Sequence, residues 1–191
     1  YYKIALDENA LPDNMQEGLI LNLAQLHLQK EQYSKSVDLL LPWIQAHEKS
    51  PALTHATLAT AYYLQQKFKK VIAPLEKAVA LDDKKEEWLK MLAYSHYQAN
   101  DYKKASQAMH KLIMLKPSNK DYWLQQANFY QLQDDLTNTL AILALAQQQG
   151  LLDKEQEFKH LILLKISQNN PYKAANMLLE AIVEGQIAAN Q

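Results

Sequence analysis

Apolar residues recur along the chain at helical spacing, and the pattern itself repeats. Four stretches superimpose: Ile20 to His27, His55 to Tyr62, Leu89 to His96 and Trp123 to Tyr130. Each carries one small residue at the same place, namely Ala24, Ala59, Ala93 and Ala127, at intervals of 35, 34 and 34. Nine residues further on come Tyr33, Phe68, Tyr102 and Leu136, and three beyond those Ser36, Val71, Ala105 and Thr139. Leu40, Leu75, Met109 and Leu143 follow, then Trp43, Ala78, Leu112 and Ala146. Spacing of three and four within a stretch predicts helices, and the longer period predicts a repeated pair of them. The first helix reads large–small–aromatic and the second small–large–small. Small residues belong where two antiparallel helices approach closely, because a longer side chain would force them apart. Pro51 and Pro117 fall between units, where one helix has to stop before the next begins.

This register gives repeats at about 17–51, 52–85, 86–119, 120–153 and 154–187, in an array over 14–191. Residues 1–13 are expected to hold the end of a preceding helix and a linker, with a break at Pro12-Asp13. The fifth repeat is looser. Pro171-Tyr172-Lys173-Ala174-Ala175, Leu179 and Ile182 fit a second helix, whereas Leu163 stands where alanine is expected in the first. Gly150 ends the fourth unit and suits a left-handed C-cap. A helical hairpin cannot bury its apolar face alone, so stacking must complete the core. The open ends then predict a homodimer or a longer native chain. The abrupt start at Tyr1-Tyr2-Lys3 and the end at Asn190-Gln191 fit a segment of a longer protein.

Composition narrows the function classes. There is no Cys, which excludes disulfides, thiolate metal sites and a cysteine nucleophile. The net charge is −1, and every basic residue is Lys. Bidentate readout of phosphate or guanine leans on Arg, so nucleic acid is not an expected partner. The charge is uneven: residues 51–117 carry 11 Lys against 6 acids, and the flanking segments are each net −3. A basic middle suits an acidic partner or a solvated surface. No apolar run reaches the ~18–20 residues that a membrane span requires.

Large–small–aromatic followed by small–large–small at period 34 resembles the tetratricopeptide repeat (TPR) family. That resemblance implies an all-α TPR superhelical solenoid of about five helical hairpins, with the first helices lining a partner-binding groove. Counting from the aligned alanines, the groove residues would be Gln25, Thr60, Tyr63, Lys90, Tyr94, Tyr97, Asn128 and Gln131. Ala56 and Leu124 would stand beside them. Tyrosine offers wide contact area at low entropy cost and a hydrogen-bonding tip. Tyr63 and Tyr97 fit equally well as packing between adjacent helices. The carboxylate clamp known in the family needs Lys, Asn and Arg at groove positions that here hold Leu21, Gln25, Thr57, Glu87 and Met91, so chaperone tails are not expected ligands.

A narrower resemblance lies in the C-terminal third. Tyr122-Trp123, Leu140 to Ala146, Gly150-Leu151-Leu152, Pro171-Tyr172-Lys173-Ala174-Ala175 and Glu184-Gly185-Gln186-Ile187 are similar to TPR proteins encoded beside TonB energy-transduction genes in Gram-negative bacteria. Gln126-Ala127 stands where that family shows Leu-Ala. This likeness implies a periplasmic adaptor assisting TonB-dependent transport, with a protein or peptide partner such as a TonB-complex component. A self-associating scaffold, cytoplasmic or periplasmic, is the alternative.

Enzymatic chemistry finds no motif. The six histidines lack the spacing of a helical metal site, and no Gly-rich phosphate loop is present. No metal, cofactor or catalytic residue is therefore expected. His27 and His96 take the aromatic slot of their repeats and are expected in the core. Asp82-Asp83, Glu86-Glu87 and Asp134-Asp135 sit at turns, where capping accounts for them.

Overall fold

The computed structural model describes residues 12–167 and 171–187. Those residues form ten α-helices and no strand. Two compact units divide the chain, residues 1–101 and 102–191. The first contains α1 (Asp13–Gln29), α2 (Tyr33–Ala46), α3 (Ala52–Leu64), α4 (Phe68–Leu81) and α5 (Glu86–Gln98). The second contains α6 (Tyr102–Leu115), α7 (Lys120–Gln131), α8 (Leu136–Gln148), α9 (Glu155–Ser167) and α10 (Pro171–Val183). Of the segment expected to hold the end of a preceding helix and a linker, residues 1–13, residues 1–11 lie outside the described residues.

Packing in each unit follows chain order. In the first, each helix packs on its successor, and α1 also meets α3 while α3 meets α5. In the second, α6 packs on α7, α7 on α8, α8 on α9 and α9 on α10. This is the all-α, solenoid-type stacking of hairpins. The aligned alanines Ala24, Ala59, Ala93 and Ala127 are all buried. So are Leu40, Leu75, Met109 and Leu143, and Val71, Ala78, Ala105, Leu112 and Ala146. Burying a leucine-sized side chain stabilises by roughly 1.5–3 kcal/mol, which is why these slots repeat.

The fifth hairpin corrects one assignment. Leu161 is fully buried and holds the slot 34 residues after Ala127, whereas Leu163 is 65% exposed. The tight position therefore takes a leucine rather than an alanine, two residues before the expected place.

A second recurring feature lies in the turns. Glu31, Gln66, Asn100 and Asp134 have φ between 55° and 60°, and Gly150 and Gly185 have φ of 70° and 71°. At the first four, the N–H of the left-handed residue bonds the carbonyl three residues back. The next N–H reaches five back, with all these bonds at 2.8–3.0 Å. These are Schellman caps. Only Gly150 was legible beforehand, because a left-handed glycine is the default and a left-handed Gln or Glu is not. Turns between hairpins differ. His47 ends α2 at φ −126° and ψ 88° and Asp82 ends α4 in an extended conformation, and Pro51 lies just before α3. Asn119 and Asp135 cap α7 and α8 through their side chains.

Polar groups are also buried. His55 is buried on α3, and its imidazole is held below its ordinary pKa, first by burial and then by Lys77, against the pull of Glu17. His96 is buried as expected, with Nε2 3.6 Å from Glu76 and Nδ1 3.7 Å from Asp101. His27 is only half-buried, and its Nδ1 lies 2.8 Å from Gln32 Oε1. Gln126 occupies the core of the second unit at 1% exposure.

Candidate functional site

Four rings from three helices meet in the first unit. Tyr63 lies in the last turn of α3, and Phe68 opens α4 across the left-handed turn at Gln66. That short connection brings their rings edge to face, with centroids 5.6 Å apart. Tyr94 on α5 lies 5.9 Å from Tyr63 and 5.4 Å from Phe68, again edge to face. Tyr97, one turn on, stands 6.3 Å from Tyr94. Such pairs are worth about 0.5–1.5 kcal/mol each beyond the area they bury. Gln98 Nε2 donates to the Tyr94 hydroxyl at 2.6 Å. Burial, and then Tyr94, push the Tyr63 pKa up, so its phenol stays neutral. The cluster is not sealed: Tyr94 is 41% exposed and Tyr97 38%.

The other expected groove residues are distributed around these features. Thr60 lies one turn before Tyr63, and its hydroxyl donates to the Ala56 carbonyl at 2.9 Å. Ala56 itself is buried and presents nothing. Lys90, one turn before Tyr94, is exposed and paired with Glu86 at 2.8 Å. Gln25 lines a cavity of about 240 Å³ on α1 with Asn22, Leu26 and Gln29.

In the second unit, Gln131 Nε2 lies 3.1 Å from His160 Nε2. The two flank a cavity of about 230 Å³ floored by Leu124, Ala127 and Leu143. Glu157 forms one wall. Its carboxylate accepts the N–H groups of Asp153 and Lys154 at 3.1 and 3.2 Å and pairs with Lys120 at 3.1 Å. Lys120 also bonds Asp153, which holds the Asp153 carboxyl below the usual range and raises the Lys120 ammonium. Asn128 is exposed on α7 and does not line this cavity.

The structure thus brings Tyr63, Tyr94 and Tyr97 together and sets Gln131 on a cavity, while Gln25, Thr60, Lys90 and Asn128 stay outside both groupings. Phe68 and His160 were missed. Phe68 was legible as a repeat aromatic, but its turn geometry was not. His160 gave no motif, since it meets Gln131 only through a side-chain contact between residues 29 apart in sequence. Among the described residues, no group of His, Asp and Glu could hold a metal ion, and no helix is long and apolar enough to cross a membrane.

No family model matches the sequence, and no curated protein matches it. Solved structures do. YrrB, a TPR protein with an unusual peptide-binding site, superimposes with a TM-score of 0.63 at 16% identity, over 95% of this chain and 90% of that one. The chain has the TPR fold. Other solved structures share it. The Naa15/Naa10 structure bound to HypK-THB gives a TM-score of 0.74 at 14% identity over 93% of this chain, which spans only 27% of that larger one. MamA from Desulfovibrio magneticus RS-1 gives 0.58 at 14% identity, over 92% and 97% of the two chains. At these identities the TPR likeness is one of fold.

Proposed function

We infer that the chain is a protein–protein interaction adaptor that holds a segment of a partner protein against its first helices. One observation carries this reading: the Tyr63–Phe68–Tyr94–Tyr97 cluster is ordered by ring contacts yet leaves two tyrosines about two-fifths exposed. Interaction sites favour such rigid, amphipathic surface. The peptide-binding site of YrrB and the HypK complex of Naa15 support it by analogy. Binding residues on this reading are Tyr63, Tyr94 and Tyr97, flanked by Thr60 and Lys90, with Gln25 as an outlying polar contact of the same unit; Asn128 and Gln131 would serve as polar contacts of the second unit on its own. The array runs over 14–191 in five repeats, and the adaptor performs no chemistry.

The finer proposal names compartment and partner. The C-terminal likeness to TonB-cluster proteins supports a periplasmic adaptor contacting a TonB-complex component. A photoreactive amino acid in place of Tyr97, in the full-length protein in its own host, tests both levels. Adducts to TonB-complex proteins are the expected result. Adducts to cytosolic proteins overturn the compartment, and absence of any foreign adduct overturns the adaptor. Tyr94→Ala with Tyr97→Ala should abolish capture.

A second reading, self-association, draws on the exposed apolar face of the last hairpin, where Leu163, Ile166, Leu179 and Val183 are exposed, Val183 at 85%. Concentration-dependent mass that disappears in Leu179→Glu with Val183→Glu would support it. A mass constant with concentration would refute it.

A further inference from the structure

Where α3, α4 and α5 meet, the rings of Tyr63 and Phe68 close on Tyr94. Tyr63 and Phe68 stand four and nine residues after the aligned Ala59. By chain order, α7, α8 and α9 form the corresponding junction of the second unit. There the places four and nine after Ala127 hold Gln131 and Leu136, neither of them aromatic. Across from Gln131, α9 presents the His160 imidazole instead of a tyrosine. With no ring from the chain itself at Gln131, the second unit has the cavity of about 230 Å³ floored by Leu124, Ala127 and Leu143.

The polar walls define what fits. The Gln131 amide nitrogen donates to His160 Nε2 at 3.1 Å, which uses that imidazole lone pair. Gln131 Oε1 then faces no donor among the described residues and is left to accept. The Glu157 carboxylate is answered within the protein, by Lys120 and by the N–H groups of Asp153 and Lys154. A cationic occupant finds no spare carboxylate in the lining, and an anionic one no spare cation, so either would lose its hydration uncompensated. Size is permissive: an apolar cavity of about 150 Å³ is enough to hold benzene. The occupant that fits is therefore an uncharged ring, its body on the apolar floor and one donor at its tip.

We propose that this cavity receives the side chain of a tyrosine from a partner segment, with the ring against Leu124 and Leu143 and the phenol donating to Gln131 Oε1. The partner thus supplies the ring that the chain itself supplies at Tyr63. That the tyrosine belongs to a partner rests on the adaptor reading; the chemistry of the cavity does not.

NMR titration of the full chain with p-cresol, the tyrosine side chain without its backbone, tests this. p-Cresol is expected to bind saturably and to shift the His160 ring protons. 4-Methylanisole has nearly the same shape but no donor, and should bind roughly three- to tenfold more weakly. Gln131→Leu removes the acceptor and should abolish that difference. Gln131→Tyr restores the ring that Tyr63 and Tyr97 provide in their repeats, and should abolish p-cresol binding by filling the cavity. Tyr94→Ala with Tyr97→Ala should leave binding unchanged, which separates this site from the tyrosine cluster. The peptide Ac-Gly-Tyr-Gly-amide should displace p-cresol, and Ac-Gly-Leu-Gly-amide should not. Circular dichroism checks that each variant folds. No binding, binding that survives Gln131→Tyr, equal binding of 4-methylanisole, or tighter binding of the cation 4-methylbenzylamine would each overturn the proposal. The expected p-cresol binding with no foreign adducts at Tyr97 would uphold the ring site and overturn the adaptor.

Discussion

Replacing Gln126 with leucine should stabilise the protein. The amide is buried on α7. Its Nε2 reaches the Ser106 carbonyl at 3.5 Å, the outer limit of a hydrogen bond. Its Oε1 meets no hydrogen-bond partner among the described residues. A buried carbonyl left unsatisfied costs about 1–3 kcal/mol. Leucine removes that penalty and fills a similar volume, but its branched shape returns up to about 1.5 kcal/mol in repacking. The net gain is therefore about 1 kcal/mol. For a chain of this length, that raises Tm by roughly 2–4 °C. Gln126→Ala provides the contrast, since it removes the same polar atoms but leaves a void, and Tm should fall. Thermal melts at 222 nm on the three proteins decide the matter. A Gln126→Leu variant that melts below the parent would show the Gln126 carbonyl to be satisfied, for instance by a bound water, and the reasoning would fail.

Three further predictions rest on the turns and the titrating groups. Gln66→Gly should stabilise by about 0.5–1 kcal/mol in urea unfolding, because a left-handed residue with a Cβ costs more than glycine's added entropy. Asn100→Gly should change little, as asparagine tolerates that conformation. His55 has a lowered folded pKa, so its stability contribution is present above the ordinary value near 6.5 and is lost as pH falls through the folded value. A His55→Leu variant should show a flatter melting profile between about pH 7 and 5. Asp153 is likewise held low, first by its hydrogen bond from Lys120. Its contribution is present above the ordinary aspartate pKa near 3.9 and is lost as pH falls through the folded value. Lys120→Ala should therefore flatten the acid limb of stability measured below about pH 4.

Much of the fold was legible because its core is periodic. Ala24, Ala59, Ala93 and Ala127 sit where close approach requires them, and the larger residues after them fill the slots their spacing indicated. The fifth hairpin was misread at Leu163 because leucine at Leu161 breaks the large–small rule, leaving no small residue to anchor the count. The tyrosines were named from their register, but their grouping depends on the angle at Gln66, which no residue type announces. The Gln131–His160 contact and the Lys120–Glu157 pair join residues 29 and 37 apart. Their meeting is set by helix packing, and the local sequence carries no trace of it.

The left-handed turns also bear on how the chain is made. Each closes its hydrogen bonds within six residues, so the turn needs only local sequence to take shape, whereas the apolar face of its hairpin needs a neighbour. At a synthesis rate of roughly 5–20 residues per second, a repeat takes about 2–7 s to emerge, far longer than a helix or a short turn needs to form. Each turn therefore has time to close before the next repeat is synthesised, and the apolar face beside it waits seconds for cover. In that interval the growing end is a nascent-chain hazard, exposed to chaperones and to premature pairing with other copies.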